Sequence, residues 1–294
     1  MEKFRLDTSQ LFREVEKCQN TFDTKVLPLE EWQEIKDQGF EIGPCFHVGP
    51  SKSLFLGIFQ MKLCVISILK NKKTAFLSSS YSLEKHFTSE IQVENTDYLL
   101  GHFHYWKTKS TYIIFSWYSP YPNLEVLFKK HPHTVAKWRK QIFFDVTEAV
   151  ISLHQQNLVH RDIKLANIMY FEDKFVLIDF EFTKREGEEH GFNGTPNYLA
   201  PEGYQENNMA KKSIDIWALG VTFFFLFGKL PFLATTLSQI KRMVNETEPD
   251  YTLIPENFRP LLQGMLHKDP NKRPTICEVK QQLEKIYALP VGSG

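Results

Sequence analysis

The chain has few cysteines and no paired cysteine motif. Only four occur in 294 residues, and Cys18, Cys45, Cys64 and Cys277 stand far apart without a C-x-x-C pair. Such spacing excludes a disulfide framework and argues against a zinc site, and it is typical of proteins in a reducing compartment.

Net charge and long apolar runs are also lacking. Thirty-five basic residues balance thirty-five acidic ones, so bulk charge offers no attraction for nucleic acid. The beginning "MEKFRLDTSQ" has no apolar signal-peptide core. The longest apolar run, "IWALGVTFFFLFG", is too short to cross a bilayer and predicts a buried helix. We therefore expect a cytoplasmic protein with no transmembrane segment and no nucleic-acid partner.

Hydrophobic periodicity divides the chain into a sheet-rich part and a helical part. The segments "SQLFREVEKCQ" and "LEEWQEIKDQG" have helical spacing, and "FEIGPCF", "SLFLGIF", "KLCVISIL", "HFHYWK" and "TYIIFSWY" are typical of strands. From about residue 120 the spacing is helical, as in "TVAKWRKQIFFDVTEAVISLHQQN". The pattern predicts an α+β protein with a helical extension over residues 1–39.

Five motifs in the second part occur in a characteristic order. They are "HRDIKLAN", "DFE", "GTPNYLAPE", "SIDIWALGVTFFFLFGKLPF" and "DPNKRP". In order and spacing they resemble the catalytic loop, metal-binding triplet, activation-segment end, buried helix and late arginine motif of eukaryotic protein kinases. The resemblance implies a bilobal kinase fold over residues 40–288, with an N-lobe at about 40–118, a C-lobe at about 121–288, and a tail at 289–294.

The resemblance assigns roles in phosphoryl transfer, which depends mainly on positioning and charge neutralisation around the γ-phosphate. It implies that Asp162 accepts or orients the proton of the substrate hydroxyl, and that Asn167 and Asp179 bind Mg²⁺ beside ATP. Lys164 and Thr195 are the choices typical of Ser/Thr-directed kinases. A protein substrate or signalling partner is implied as well.

Other motif residues have architectural or regulatory roles in the resemblance. Glu202 and Arg273 are expected to form a buried ion pair that fixes the activation segment, and Asp215 belongs to the same architectural set. Arg161 is the arginine that clamps a phosphorylated activation loop in relatives. Glu181 stands where the family pattern has glycine, so it restricts a backbone flip and adds negative charge near Asp179.

The N-lobe departs most from the family pattern. The segment "IGPCFHVGPSKS" holds Gly43 but not the expected G-x-G-x-x-G, and its two prolines remove amide donors over the phosphates. Ser67 stands at the position of the phosphate-binding lysine. We expect Gly43, Ser67 and Leu54, the position of the valine above the adenine, to contact ATP, with Phe115 and Trp117 nearby.

Two explanations remain for Lys52. With-no-lysine kinases carry their phosphate lysine at the equivalent place, so Lys52 is either a relocated phosphate lysine or an exposed lysine at a loop–strand junction. Lys70 follows Ser67 by an odd number of residues and therefore faces the other side of the strand. Glu90 is the best candidate for the helix glutamate, with Glu84 and Glu94 as alternatives.

Two functions are compatible with these features. The first is an atypical Ser/Thr protein kinase of low activity, with a Ser/Thr-type C-lobe and a degenerate, tyrosine-kinase-like N-lobe. The second is a pseudokinase that acts as a switch or scaffold through protein–protein contacts, and the "LGIFQMKL" turn is similar to that of mixed-lineage kinase domain-like pseudokinases. Ser67, Glu181 and the poor glycine loop favour the second.

Overall fold

The computed structural model of the protein describes residues 1–18, 23–70, 88–89, 92–190, 194–205 and 208–288. Two compact units are distinguished by their internal contacts. The first comprises residues 1–95 and 100–122, and the second comprises residues 96–99 and 123–294.

The first unit is built on a five-stranded antiparallel sheet. Its strands are β1 (Glu41–Val48), β2 (Lys52–Phe59), β3 (Lys62–Leu69), β4 (His104–Lys107) and β5 (Tyr112–Trp117). Their spatial order is β1-β2-β3-β5-β4, and β2 pairs with β3 without a bulge from Lys52↔Leu69 to Phe59↔Lys62. Because side chains alternate along such a strand, the residues of β2 and β3 divide cleanly between the two faces of the sheet.

Two helices from the beginning of the chain cover these two faces. Helix α2 (Leu29–Asp37) packs Trp32 and Ile35 against the face that includes Phe55, Ile66 and Phe115. Helix α1 (Thr8–Lys17) packs on the opposite face, where Val15 joins a cluster with three sheet residues, Leu56, Ile58 and Leu63. We call these the α2 face and the α1 face of the sheet.

The second unit is mostly helical. Its helices are α3 (Leu124–Lys130), α4 (Pro132–Gln155), α5 (Lys212–Phe225), α6 (Leu237–Glu246), α7 (Arg259–Met265) and α8 (Ile276–Ala288). Short strand pairs join β6 (Leu158–Val159) to β9 (Lys184–Arg185), β7 (Ile168–Phe171) to β8 (Lys174–Leu177), and β10 (Glu189–His190) to β11 (Asn208–Met209). Helix α5 is the buried helix that the apolar run predicted, since nearly all of its side chains are buried.

The predicted fold class is confirmed: a five-stranded antiparallel sheet is followed by a helical region. Over the described ranges, no helix combines the length and the apolar character needed to cross a membrane. Glu90 and Glu84 lie outside the described residues.

The α2 face gives a direct test of how the extension contributes to the fold. Trp32 is fully buried and its indole N–H donates to the carbonyl of Asp23 at 3.2 Å. We expect Trp32→Ala to lower the free energy of unfolding by about 3–5 kcal/mol, because a large cavity forms under the sheet. The measurement is urea unfolding followed by far-UV circular dichroism.

Leu29→Ala is the matched control, since Leu29 begins the same helix and is 55% exposed. Its effect should stay within about 0.5 kcal/mol. Equal unfolding midpoints for the two variants would contradict the packing described for α2.

Candidate functional site

The side chain of Asp162 lies at the centre of a hydrogen-bond network in the second unit. Its Oδ2 accepts from Lys164 Nζ at 2.6 Å and from Asn167 Nδ2 at 3.1 Å. Its Oδ1 accepts from the backbone N–H of Thr195 at 3.1 Å and from the Thr195 hydroxyl at 2.8 Å. The carboxylate is only 4% exposed, so these donors replace the water that would otherwise solvate the charge.

Lys164 and Thr195 are also joined to each other. Lys164 Nζ donates to the Thr195 hydroxyl at 2.7 Å, so the side chains of Lys164, Thr195 and Asp162 are all hydrogen-bonded to one another. Thr195 follows Gly194, which has a φ of +109°, and a Cβ atom at Gly194 would lie only 2.9 Å from the carbonyl oxygen of Arg161. Gly194 therefore lets the activation-segment end approach the loop that carries Asp162.

The side chain of Asp215 holds the backbone of the loop that carries Asp162. This residue of α5 is fully buried, and its carboxylate accepts the backbone N–H groups of His160 and Arg161, both at 2.9 Å. The ring Nε2 of His154 lies 2.9 Å from the same carboxylate. Arg161 has a φ of 71°, an uncommon backbone conformation that these bonds help to maintain.

His160 connects the loop to the segment around Asp179. Its ring Nδ1 accepts from the backbone N–H of Asp162 at 3.3 Å, and its Nε2 donates to the carbonyl of Ile178 at 3.2 Å. The ring also packs on Phe180 with centroids 5.3 Å apart. A neutral imidazole with its proton on Nε2 satisfies both bonds.

The β7–β8 hairpin brings Asn167 and Asp179 to one end of the second unit's small sheet. Asn167 immediately precedes β7 and Asp179 lies just after β8, and the backbone N–H of Ile178 donates to the carbonyl of Asn167 at 3.0 Å. Asn167 Nδ2 donates to the carbonyl of Asp162 as well as to its carboxylate, which leaves the side-chain oxygen Oδ1 as the atom suited to a cation.

These two side chains fit a Mg²⁺ ion that arrives with a nucleotide. Carboxylate and amide oxygens are the hard ligands that Mg²⁺ prefers, and it commonly uses one or two of them together with phosphate oxygens. Among the described residues, no three or more His, Cys, Asp or Glu side chains form a group that could hold a metal. The side-chain oxygen of Asn167 and the carboxylate of Asp179 are oxygen ligands of this kind.

Glu181 follows Asp179 by two residues and is half-buried. The left-handed backbone conformation falls on Asp179 itself, with a φ of 67°, and Glu181 is not among the described residues with positive φ. In this conformation the position of Glu181 does not require a glycine.

Arg161 points back into the protein. Its Nη1 donates to the carbonyl of Phe182 at 3.0 Å, and the residue is 4% exposed. Burial lowers the pKa of Arg161 to about 10, against the opposing effect of Asp215, Asp162 and Glu188. The guanidinium therefore keeps its charge at neutral pH.

Glu202 and Arg273 form a bidentate ion pair. Arg273 Nη1 and Nη2 donate to the two oxygens of Glu202 at 2.6 and 2.8 Å. The same guanidinium donates to the carbonyls of His267 and Ser213, each at 2.9 Å, and its side chain is fully buried. This arginine thereby joins the activation-segment end, the start of α5 and the segment before α8.

In the first unit, the strand register separates the residues predicted to contact a nucleotide. Leu54 pairs directly with Ser67, and Lys52 lies two residues before Leu54, so all three belong to the α1 face. All three are half-buried. Lys52 and Ser67 therefore share one face of the sheet.

Phe115 and Trp117 lie on the opposite face. Phe115 is fully buried in the α2-face cluster with Trp32, and Trp117 packs against that cluster. Phe115 pairs with Ile66, which places it on the other side of the strand from Ser67. The structure therefore does not bring these two aromatic residues together with Leu54 and Ser67.

Gly43 also has surroundings that the motif did not predict. A Cβ atom there would lie 2.6 Å from Val15 Cγ2 and 3.0 Å from the carbonyl of Leu56. Helix α1 thus fills the space that a side chain at Gly43 would need.

Lys70 has a structural contact, because its Nζ donates to the carbonyl of Gly49 at 2.9 Å and so holds the β1–β2 hairpin in place.

Comparison with known families agrees with this arrangement of motifs. The model of the protein kinase domain matches residues 60–283, which is most of the chain. The chain belongs to the protein kinase domain family.

The chain is similar to several serine/threonine kinases. It is 36% identical over 158 residues to a candidate serine/threonine-protein kinase of Acanthamoeba polyphaga mimivirus, a match that covers 50% of this chain and 56% of the relative. It is 39% identical over 138 residues to the RAC-beta serine/threonine-protein kinase B of Xenopus laevis, covering 44% and 28%. It is 28% identical over 271 residues to the Aurora kinase of Eremothecium gossypii, covering 87% and 71%.

This kinase domain therefore spans about half the length of the mimivirus relative and less of the Xenopus one. The relatives support a Ser/Thr protein kinase domain. A kinase domain in turn implies ATP, Mg²⁺ and a protein substrate.

Three residues near Asp162 were not singled out from the sequence. His160 was part of a quoted motif without a role of its own, Gly194 was quoted without its conformational reason, and His154 lies within the long helix α4. Helical spacing identifies a buried side of α4, but it does not indicate that a histidine there meets a carboxylate of α5.

The ion pair between Glu202 and Arg273 should be important for stability. We expect Glu202→Ala to lower the free energy of unfolding by about 3–5 kcal/mol, because it leaves the buried guanidinium without its counter-charge. Chemical denaturation followed by circular dichroism measures the change.

Glu186→Ala is the matched control in the same unit. Glu186 contacts Lys212 at 2.9 Å, but both side chains are more than a third exposed. Its removal should change stability by about 0–1 kcal/mol. The ion pair would have no special role if both variants lost the same small amount.

Proposed function

We propose that this chain is a Ser/Thr-directed protein kinase of low activity, which transfers the γ-phosphate of ATP to protein hydroxyl groups. The observation that carries the proposal is the network in which Lys164, Asn167 and Thr195 hold the buried carboxylate of Asp162. Such a preorganised carboxylate is suited to receive the proton of a substrate hydroxyl.

The residues of the second unit would divide the work. Asp162 orients the substrate hydroxyl and accepts its proton, and Lys164 offsets negative charge beside it. Asn167 and Asp179 would hold Mg²⁺, which when bound neutralises charge on the phosphate oxygens. Thr195 fixes Asp162 and helps to position the peptide that carries the accepting hydroxyl.

Low activity is supported by the first unit. Ser67 cannot supply the positive charge that a lysine would bring to the phosphates, and losing one charge-assisted contact costs about 1.5–3 kcal/mol. The β1–β2 hairpin contains Pro44 and Pro50, which lack amide donors, and Lys70 ties it down. We expect binding of the phosphates by this hairpin to be weak.

Lys52 is the proposed replacement for the missing lysine. It shares the face of Ser67 and Leu54 in a register free of bulges, whereas Lys62 lies on the other face, 5.5 Å from the ring centroid of Trp117. An ammonium group on the same face can approach the phosphates from a neighbouring strand. This supports the relocated-lysine interpretation over the exposed junction lysine.

A pseudokinase that acts as a switch or scaffold is the second candidate. Ser67 and the proline-containing hairpin favour it, together with the negative charge that Glu181 adds near Asp179. The two candidates differ in whether phosphate is transferred.

The first experiment tests the role of Asp162. We expect Asp162→Asn to lower kcat for phosphate transfer to a generic Ser/Thr protein substrate by about 10²–10⁴, because the amide cannot accept the proton. Transfer is measured with radiolabelled ATP and Mg²⁺.

Asp173→Asn provides the matched control, since Asp173 is exposed in the β7–β8 turn and the substitution is the same. It should leave kcat unchanged. Wild-type protein that binds no nucleotide and transfers no phosphate would favour the scaffold, and an active Asp162→Asn variant would contradict the role given to Asp162.

The second experiment tests Lys52. Its replacement in Lys52→Ala should weaken MgATP binding about 10- to 150-fold, the equivalent of about 1.5–3 kcal/mol for a lost charge-assisted contact. Calorimetric titration with a non-hydrolysable ATP analogue and Mg²⁺ measures the affinity.

Lys62→Ala serves as the control, because it removes the same charge from the opposite face. The double variant Lys52→Ala with Ser67→Lys should recover affinity, since it returns a lysine to the paired position on the α1 face. Equal affinity in wild type, Lys52→Ala and Lys62→Ala would rule out relocation.

A further inference from the structure

Helix α1 covers only part of the sheet face that carries Lys52, Leu54 and Ser67. Val15 is fully buried against Leu56, Ile58 and Leu63, and each of these sheet residues is less than a tenth exposed. Leu54, Val65 and Ser67 on the same face are half-buried. The helix thus stops short of the surface where the proposed function places the nucleotide.

Gly43 determines how closely α1 approaches this face. The Cβ that any other residue would bring lies 2.6 Å from Val15 Cγ2 and 3.3 Å from Val15 Cα. Contacts under 3.0 Å are not tolerated, so a side chain at Gly43 would push the helix away from β1 and β2. The glycine is therefore required by α1, whatever it contributes to phosphate binding.

The segment before α1 is attached to the chain that follows β5. The backbone N–H of Leu6 donates to the carbonyl of Pro120 at 2.8 Å, and Tyr121 Oη donates to Glu2 Oε1 at 3.1 Å. Asp7 then caps α1 by accepting from the backbone N–H of Ser9 at 3.0 Å. These contacts hold the start of the chain along residues 118–121.

Tyr118 lies under the same helix. Its ring packs against the cluster of Val15, and its backbone N–H donates to the carbonyl of Leu63 at 3.1 Å. Burial raises the pKa of Tyr118, with a smaller contribution from the charge of Glu14 on α1. Leu11 and Phe12 of α1 pack against the same cluster.

We propose that α1 is a wall of the nucleotide site, seated in the space left by Gly43, and that Val15 and Gly43 are positioning residues for nucleotide binding. The inference rests on the proposed function, because it assigns the α1 face to the nucleotide. Val15 holds the helix against β1 and β2, and the cluster of Val15 also packs against Tyr118, just after β5, whose Ser116 pairs with Val65. Without this wall the base would lose a fixed boundary on one side.

The test is a rescue experiment in the full chain. We expect Gly43→Ala to raise KM for ATP about tenfold, the equivalent of 1.4 kcal/mol, with little change in kcat, because the displaced helix affects binding rather than transfer. Adding Val15→Ala should return KM towards the wild-type value, since trimming Val15 removes the 2.6 Å conflict. Because Val15 is itself fully buried, the two substitutions should lower the melting temperature by less together than the sum of their separate effects.

Leu11→Ala combined with Gly43→Ala is the matched control. It trims the same helix at Leu11, which packs against the same cluster but is not among the atoms nearest to a Cβ at Gly43, so KM should stay high. Rescue by Val15→Ala alone supports the proposal. Failure of both double variants to rescue would overturn it, because Gly43 would then act on the phosphates directly.

The wild-type protein separates this proposal from the proposed function. Absence of nucleotide binding and phosphate transfer in the wild type would overturn the kinase assignment, and the proposed role of α1 would be overturned as well. A wild type that binds MgATP, with no coupling between Val15 and Gly43 in KM, would overturn the wall and leave the kinase assignment intact.

Discussion

The carboxylate of Asp215 holds the loop on which the candidate site depends. One fully buried side chain on α5 accepts the backbone N–H groups of His160 and Arg161 and contacts His154 of α4. Backbone donors that lose such an acceptor inside a protein are costly, so the loop has a strong preference for this one conformation. Asp162 follows Arg161 on this loop, and the three residues that donate to its carboxylate meet there.

The two units differ in how far they retain the features expected of a kinase. The second unit has a complete set of charged and amide groups around Asp162, and each is held by a specific bond. In the first unit, Gly43 packs against α1 and the β1–β2 hairpin contains two prolines, which lack amide donors. Ser67 stands where the family pattern has a lysine. Under the proposed function, phosphate transfer depends on the second unit and nucleotide affinity depends on the first, which has lost more of the family pattern.

Much of the fold could be predicted from periodicity and motifs. The strands, the buried helix α5 and the helices at residues 8–17 and 29–37 follow from the spacing of apolar residues. Asp162, Asn167 and Asp179 could be proposed because the motifs that contain them resemble those of protein kinases. The ion pair of Glu202 and Arg273 could be proposed only by family resemblance, because it joins residues far apart in sequence.

Other features depend on three-dimensional packing that the sequence pattern does not report. Phe115 and Trp117 were expected near Leu54 and the nucleotide, yet the alternation of side chains along β5 places them on the α2 face. Val15 of α1 packs on Gly43 of β1, although helix α2 lies between these two elements along the chain. A glycine motif alone does not distinguish a phosphate loop from the seat of a helix.

The order of elements along the chain has a consequence for how the first unit acquires its structure. Both helices that cover the sheet, α1 and α2, precede β1, so apolar partners for both faces are already synthesised when the first hairpin leaves the ribosome. Contacts between segments close in sequence form quickly, because little loop entropy is lost. The β1–β3 strands can therefore be shielded from aggregation during translation, before the helical unit exists.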